Sequence, residues 1–390
     1  MHYNEISVLL TDGHSRQALP MAKAFKELGC KVTTLNSSKL DIGYTSKYPD
    51  RKIIDKTSKD DYEGKLNIIS KLILSDEFQI VVPTTDFSAI LLSQNKKLLS
   101  NHGYIAVCDW ETLQIAADKL NTMRICMDND IPCTKTLLDI SSIQDIIDSK
   151  LTYPIVVKPR ISYGAIGFQV IESEEKLKKI LNKPEIDLNQ LIIQEYIPQN
   201  DIQYETAVFV DEYNNVKTSL IFSKNRWFPV NGGSSTLNIT VDDEDIRANC
   251  IKLVKLINWR GCADIDLIRD PRDGVAKIME INPRVSGSVK ICFLAGVNIA
   301  RQILESAIGE TVTEYKNYSI GIRLRAIHTD LLWFLNSNKR FQAKPSWFSI
   351  AKTKEQIFSW DDPLPWFSYT IQAFTKYKRE MKKRVTNTKQ

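Results

Sequence analysis

Two stretches of the chain concentrate oxygen ligands around one guanidinium. The first is Ala263-Asp264-Ile265-Asp266-Leu267. The second follows the turn Asp270-Pro271-Arg272-Asp273-Gly274 and runs Ala276-Lys277-Ile278-Met279-Glu280-Ile281-Asn282-Pro283-Arg284. Side chains alternate along a strand, so Asp264 shares a face with Asp266, and Glu280 with Asn282. The short turn pairs the strands as a hairpin. The four together form a small cluster of hard oxygen ligands suited to Mg²⁺ (or Mn²⁺), which takes one or two carboxylates and completes its shell with water and phosphate oxygens. Arg284, just past the second strand, offers a planar fork to an anionic intermediate. The competing reading is an exposed polar ribbon, and the compact acid–amide–arginine run with a partnered acid argues against it.

Other chemistries find little support. The four histidines, His2, His14, His102 and His328, are too scattered for a histidine metal site or a Ser/His/Asp arrangement. The seven cysteines form no CxxC pair and read as reduced, mostly buried thiols of a cytosolic protein. No GxGxxG or GxxxxGK[ST] occurs, so a dinucleotide fingerprint or P-loop is unsupported.

The elements that must position these residues divide the chain in two. Over the first hundred residues, strands at Ile6–Leu10, Val32–Leu35, Ile53–Ile54 and Gln79–Val82 alternate with helices at 18–28, 62–75 and 87–100. That alternation predicts a parallel sheet covered on both faces, with ligands beyond the strand carboxyl ends, at Thr11-Asp12-Gly13 and Thr84-Thr85-Asp86. Plain turn chemistry competes at both. A helix over 110–130 ends at Pro132. Tyr153–Pro159 is a strand carrying Lys158. A glycine-containing loop (Arg160–Phe168) and a second strand, Gln169–Ile171, follow. Such a hairpin closes over phosphates, or is merely structural. A helix at 174–182 and a strand at 191–195 come next. The second half predicts an antiparallel sheet from strands at 202–210, 216–222, 262–268 and 275–281, with helices at 242–257, 287–295 and 298–308 and a further strand at Ile320–Ile327.

Composition bounds the rest. The 390 residues are 43% hydrophobic and 25% charged, an ordinary globular balance. No apolar run approaches the roughly 18 residues of a membrane span, and the start, MHYNEISVLL, lacks a secretory pattern. The net charge of +5 is unevenly placed. Residues 331–390 hold 12 Lys/Arg and 4 Asp/Glu, leaving 40 and 43 in residues 1–330. General nucleic-acid binding is therefore disfavoured.

The run Glu280-Ile281-Asn282-Pro283-Arg284-Val285-Ser286-Gly287-Ser288 resembles the metal-binding strand of ATP-grasp ligases, especially the carbamoyl-phosphate-synthetase-like and biotin-carboxylase-like branch. Further pieces match in order over roughly residues 1–310. They are Asp118-Lys119, Val157-Lys158-Pro159, Gly164 and Gly167, Gln194-Glu195-Tyr196-Ile197 and Gln203-Tyr204-Glu205. The resemblance implies a mixed α/β and α+β, ATP-grasp fold: a Rossmann-like pre-ATP-grasp domain (1–112), linker helices and a lid (113–198), a larger α+β domain (199–328) and a C-terminal extension (329–390). It implies ATP and Mg²⁺ as cofactors. Lys119 and Lys158 would neutralise phosphates under the Gly164/Gly167 loop. Glu195 would accept from the adenine amino group, the Ile197 backbone would donate to the ring, and Asp201 or Gln203 would approach the ribose. Asp266, Glu280 and Asn282 would hold the metal. Arg284 would stabilise an acylphosphate that an amine then attacks.

Arg226, beside the polar loop Pro229–Ser235, is expected to pair a substrate carboxylate or to be a surface arginine. One of Arg323 and Arg325 would bind substrate or form a structural salt bridge. The expected activity is carboxylate–amine ligation on an amino acid or sugar acid, with a small-molecule acid and amine as partners and a link to surface-polysaccharide synthesis. Other ATP-grasp chemistry (carboxylation or carbamoyl transfer) and a silent ATP-binding scaffold are the rivals. The tryptophan-rich, basic C-terminal segment either contacts an anionic membrane face peripherally or packs on the core as an aromatic flap. Oligomeric state is not legible.

Overall fold

The computed structural model describes residues 3–58, 61–161, 167–184, 186–198, 202–230 and 233–373. Gly164, Asp201, Asn231, Gly232 and the basic run Tyr377–Arg384 lie outside them.

The first unit is a parallel sheet of β1 (Ser7–Leu10), β2 (Lys31–Asn36), β3 (Arg51–Ile54), β4 (Ile80–Val82) and β5 (Tyr104–Ile105), in the order β3-β2-β1-β4-β5. Val8, Leu9 and Leu10 are all fully buried, as the continuous apolar run of a doubly covered parallel strand requires. The helix Ala18–Glu27 carries Pro20 in its first turn, where no N–H is needed, and ends at Gly29 with φ +95°. Asp12 ties the two strand-end turns together. Its carboxylate accepts from Thr11 Oγ1 (2.6 Å), Ser88 Oγ (2.8 Å) and the Thr84 N–H (3.3 Å), which is turn chemistry.

A four-stranded sheet, β6-β9-β7-β8, follows. Its strands are β6 (Thr136–Leu137), β7 (Ile155–Pro159), β8 (Gln169–Ile171) and β9 (Leu191–Glu195). It has its own small core of Leu151, Ile155, Val157, Ile171, Leu177 and Ile193. The third sheet contains β10 (Gln203–Val210), β11 (Val216–Phe228), β12 (Ser234–Val241), β13 (Gly261–Arg269), β14 (Ala276–Asn282), β15 (Arg323–Arg325) and β16 (Thr353–Glu355), ordered β14-β13-β10-β11-β12-β15-β16. Its pairings are antiparallel except β15–β16. One continuous core, with Leu9, Val81, Val208, Trp259 and Ile265, joins it to the first unit. Among the described residues, no helix is long and apolar enough to cross a membrane.

Several expectations need correction. The helix expected over 110–130 is two, Trp110–Ala117 and Lys119–Asp128. Between them Asp118 is extended (φ −101°, ψ 105°) and its side chain accepts from the Leu120 N–H at 3.0 Å, capping the second helix. The helix over 87–100 likewise breaks, at Asn95. Strand β11 runs to Phe228, past the expected end at 222. The strand expected at Ile320–Ile327 is only Arg323–Arg325, and His328 lies on the helix Ile327–Asn336. β12 was not foreseen: its first two residues fall in the polar loop expected over 229–235, and no element was expected over 236–241. Thr236, Asn238 and Thr240 are nevertheless buried, and each donates a side-chain hydrogen bond, to Asp330, Ser288 and the Ser319 carbonyl. Polar residues satisfied inside a sheet hide the strand from a hydropathy reading.

Candidate active site

The β13–β14 hairpin forms with the register its alternation implies: Asp264 opposes Asn282, and Asp266 opposes Glu280. On the other side, β10 sets Glu205 opposite Asp266. Three adjacent strands thus converge Glu205, Asp264, Asp266 and Glu280 on one face. Cations answer them from four places. Lys119, the first residue of its helix and 6% exposed, reaches Glu280 Oε2 at 3.3 Å. Lys224 of β11 ion-pairs with Asp266 and with Glu205 Oε2, the latter at 2.8 Å. Lys158, next to last in β7, supplies a third ammonium. Arg284 donates to Asp86 Oδ2 (3.2 Å), the Val285 carbonyl (3.1 Å) and Asn282 Oδ1 (3.3 Å), and lies 3.7 Å from Asp264 Oδ2.

Five carboxylates thus face four cations in a partly dehydrated space, and the acid–base balance shows it. Burial pushes the Asp264 carboxyl well above its usual range, helped by Glu205 and Asp266 and opposed by Arg284. Burial also raises Asp266, Lys224 pulling against it and Glu205 and Glu280 adding to it. Burial likewise works against Glu280, yet Lys119 and Lys158 hold its carboxyl below the usual value. Burial lowers Lys158, with Glu280 opposing and Lys119 reinforcing. Lys224 stays firmly charged, because Asp266, Glu205 and Asp264 outweigh its burial. Asp264 Oδ1 is buried and meets no donor among the described residues, while burial works against the neighbouring Glu205 and Lys224 holds its carboxyl low.

The donor chemistry suits a small divalent cation. Asp266, Glu280 and Asn282 lie in adjacent register, with Asn282 Nδ2 3.3 Å from Asp266 Oδ2. Among the described residues, no three His, Cys, Asp or Glu side chains stand at metal-binding geometry. Two carboxylates and an amide would therefore hold Mg²⁺ only together with phosphate oxygens, as that ion commonly is held.

The other expected residues fall on both sides of this centre. Gly167 (φ +76°) closes the described edge of the β7–β8 loop, and a Cβ there would meet Pro159 Cγ at 2.7 Å, so no other residue fits. Ile197 is buried just past β9, and Gln203 opens β10, opposite Lys224. The Glu195 carboxylate is otherwise engaged. It accepts the Lys135 N–H (3.0 Å) and Arg272 Nη2 (2.5 Å), with Lys277 Nζ at 3.5 Å. It ties β9 to the β13–β14 turn.

Arg226 does not join the cluster, which corrects its expected catalytic role. Its guanidinium is buried, forks onto Asp330 (2.7 and 2.9 Å) and donates to the Pro345 carbonyl at 3.1 Å. Arg325 reaches the same Asp330 at 2.6 Å, and Arg323 donates to Ser349 Oγ at 2.9 Å. All three hold chain to chain. Sequence reasoning pointed to the Thr84-Thr85-Asp86 turn without linking Asp86 to Arg284, and it passed over Glu205 and Lys224 as members of the centre. Alternation along β10 from Gln203 would have flagged Glu205 opposite Asp266. Lys224 was hidden by the belief that β11 had already ended.

A parallel-sheet unit, a small four-stranded sheet and a seven-stranded sheet gather lysines and carboxylates at one hairpin. Residues 116–288 match the family model described as "ATP-grasp domain", and the fold is of that kind. The chain is 24% identical over 327 residues to D-aspartate ligase of Enterococcus faecium, covering 78% of this chain and 77% of the relative. It superposes on a biotin carboxylase–β,γ-ATP complex from Campylobacter jejuni with a TM-score of 0.68 and 20% identity, over 83% of this chain and 75% of that one. It superposes on an L-amino acid ligase from Bacillus licheniformis with a TM-score of 0.60 and 17% identity, over 77% and 74%. At these identities the structural likenesses establish the fold.

Proposed function

We propose that this chain is an ATP- and Mg²⁺-dependent carboxylate–amine ligase, passing through an acylphosphate and releasing ADP and phosphate. The observation that carries the reading is the convergence of Lys119, Lys158, Asp266, Glu280, Asn282 and Arg284 at the end of one hairpin. Phosphoryl transfer needs positioned oxygens and neutralised charge more than a protein nucleophile. Mg²⁺ held by Asp266, Glu280 and Asn282 would neutralise phosphate charge. Lys119 and Lys158 orient the phosphate oxygens, with the glycine loop through Gly164 and Gly167 excluding water. The hinge backbone at Glu195 and Ile197 takes the adenine, and Asp201 or Gln203 the ribose. Arg284, fixed by Asp86 and Asn282, holds the acylphosphate oxygen while the amine attacks.

The D-aspartate ligase and L-amino acid ligase relatives support amine ligation over carboxylation, with an amino acid as the acid and a second small molecule as the amine. A sugar acid of surface-polysaccharide synthesis is the other acid that this reading admits. The test is ADP release over a matrix of amino acids, sugar acids and amines. Stimulation by one acid–amine pair is expected. If ATP binds and no pair stimulates turnover, the ligase reading fails. If bicarbonate alone stimulates it, the carboxylation reading replaces it.

A further inference from the structure

The helix Ile327–Asn336 joins two clusters of rings on the surface formed by residues 327–373. At one end His328 packs on Trp366 with ring centres 5.1 Å apart, Trp366 on Phe358 at 6.2 Å, and Phe358 on Trp360 at 4.9 Å. Nearly two turns further along, Phe334 packs edge-on against Phe341 (5.5 Å) and Phe348 (5.7 Å). Leu331 and Leu335 follow His328 at helical spacing and face outward. The described helical residues 364–373 add a second outward stripe, Leu364, Phe367 and Ile371, at i, i+3 and i+7.

This surface is unusually apolar. Trp360 is 90% exposed, Ile350 80% and Phe341 75%. A soluble surface normally scatters such residues singly, and a connected set marks a contact.

Its charge selects the occupant. The three acidic residues of the described tail are each engaged by other groups of the chain. Glu355 accepts the Ile357 and Phe358 N–H groups, Asp361 takes Lys23 Nζ at 3.0 Å, and Asp362 takes Ser46 Oγ at 2.6 Å. Lys344, Lys352 and Lys354 point outward and form no ion pair among the described residues. The sequence continues past residue 373 with Phe374, Tyr377, Met381 and Val385 spaced among seven Lys/Arg and one Glu. Aromatic and aliphatic groups beside unneutralised lysines match the interface of an anionic lipid bilayer, where rings sit at headgroup depth and nearby cations attract the headgroups.

We propose that this face docks the protein peripherally on an anionic membrane surface, independently of the ligase reading. The test uses the full chain and vesicles of equimolar phosphatidylglycerol and phosphatidylcholine, with phosphatidylcholine vesicles as control. Co-sedimentation on the anionic vesicles is expected to exceed the control at least about tenfold and to fall steeply with salt. The triple variant Trp360→Ser, Leu364→Ser, Phe367→Ser should lose it while keeping parental Tm and ADP release, since all three side chains are exposed. Lys344→Gln with Lys352→Gln and Lys354→Gln should weaken it without changing phosphatidylcholine binding. Equal binding to both vesicle types overturns the proposal. So does absence of vesicle binding, with or without a concentration-dependent dimer that the triple variant abolishes.

Discussion

Two charged clusters are built into the same seven-stranded sheet and behave in opposite ways. Near β12 and β15, Arg226 and Arg325 close on Asp330, which is fully buried. Trp333 and Trp347 cover the two guanidinium groups at 5.2 and 4.2 Å. Every bond there runs between segments of the chain. At β13 and β14, by contrast, the carboxylates outnumber the cations. Asp264 and Asp266 are pushed toward protonation by burial and by their neighbours, and Lys224 is shared between two acids. The first cluster pairs its charges within the chain, with Arg325 Nη2 alone among its nitrogens buried and unpartnered among the described residues, and is structure. A cluster that burial and like charge leave in tension is shaped for something that binds.

Four experiments can break or sharpen this contrast. The largest effect is expected from Asp330→Ala, which strands two buried guanidinium groups. Urea unfolding at unchanged m should show a loss of about 3–5 kcal/mol. Unchanged stability with lost turnover would move the triad into the active site. Next, Glu280→Gln should cut ADP release at least about 100-fold, roughly 2.7 kcal/mol, with little change in Tm. An unaffected rate removes the metal assignment.

Arg284→Lys keeps the charge and loses the fork shared by Asp86 and Asn282. About a tenfold fall in kcat is expected, with KM for ATP nearly constant. A change confined to the KM for ATP would place Arg284 on the nucleotide instead. The smallest effect concerns Lys290, a cation that is neither completed nor poised. Burial pulls it from 10.5 to about 8, and among the described residues its ammonium donates only to the Glu355 and Phe358 carbonyls, at 2.7 and 3.1 Å. Between those two pH values the unfolded chain binds the extra proton, so the parent's stability rises with pH. Lys290→Met should therefore be the more stable protein at pH 8 and lose that advantage toward pH 10 by scanning fluorimetry. A constant difference would mean that Lys290 keeps its proton.

Much of this was legible before folding was considered. Alternation of two placed Asp264, Asp266, Glu280 and Asn282 correctly on a paired hairpin. The strand–helix alternation gave the parallel sheet of the first unit. Failures came where polar residues were satisfied internally. β12 escaped notice because its threonines and asparagine, though polar, are buried and bonded. Arg226 passed for a substrate ligand because its partner, Asp330, lies 104 residues away. Asp86 joined the centre through Arg284, a contact that no local pattern announces. Periodicity reports the neighbours along one element, and charge partners across elements are settled only by topology.

That last contact has a consequence for how the protein comes into being. Asp86 and Arg284 are 198 residues apart, and Lys119 must also dock on Glu280 before the centre is complete. Such long closures are made late, after their loop entropy has been met. Recovery of turnover during refolding should therefore lag the recovery of helical signal, making activity a clock for the final docking of the first unit on the large sheet.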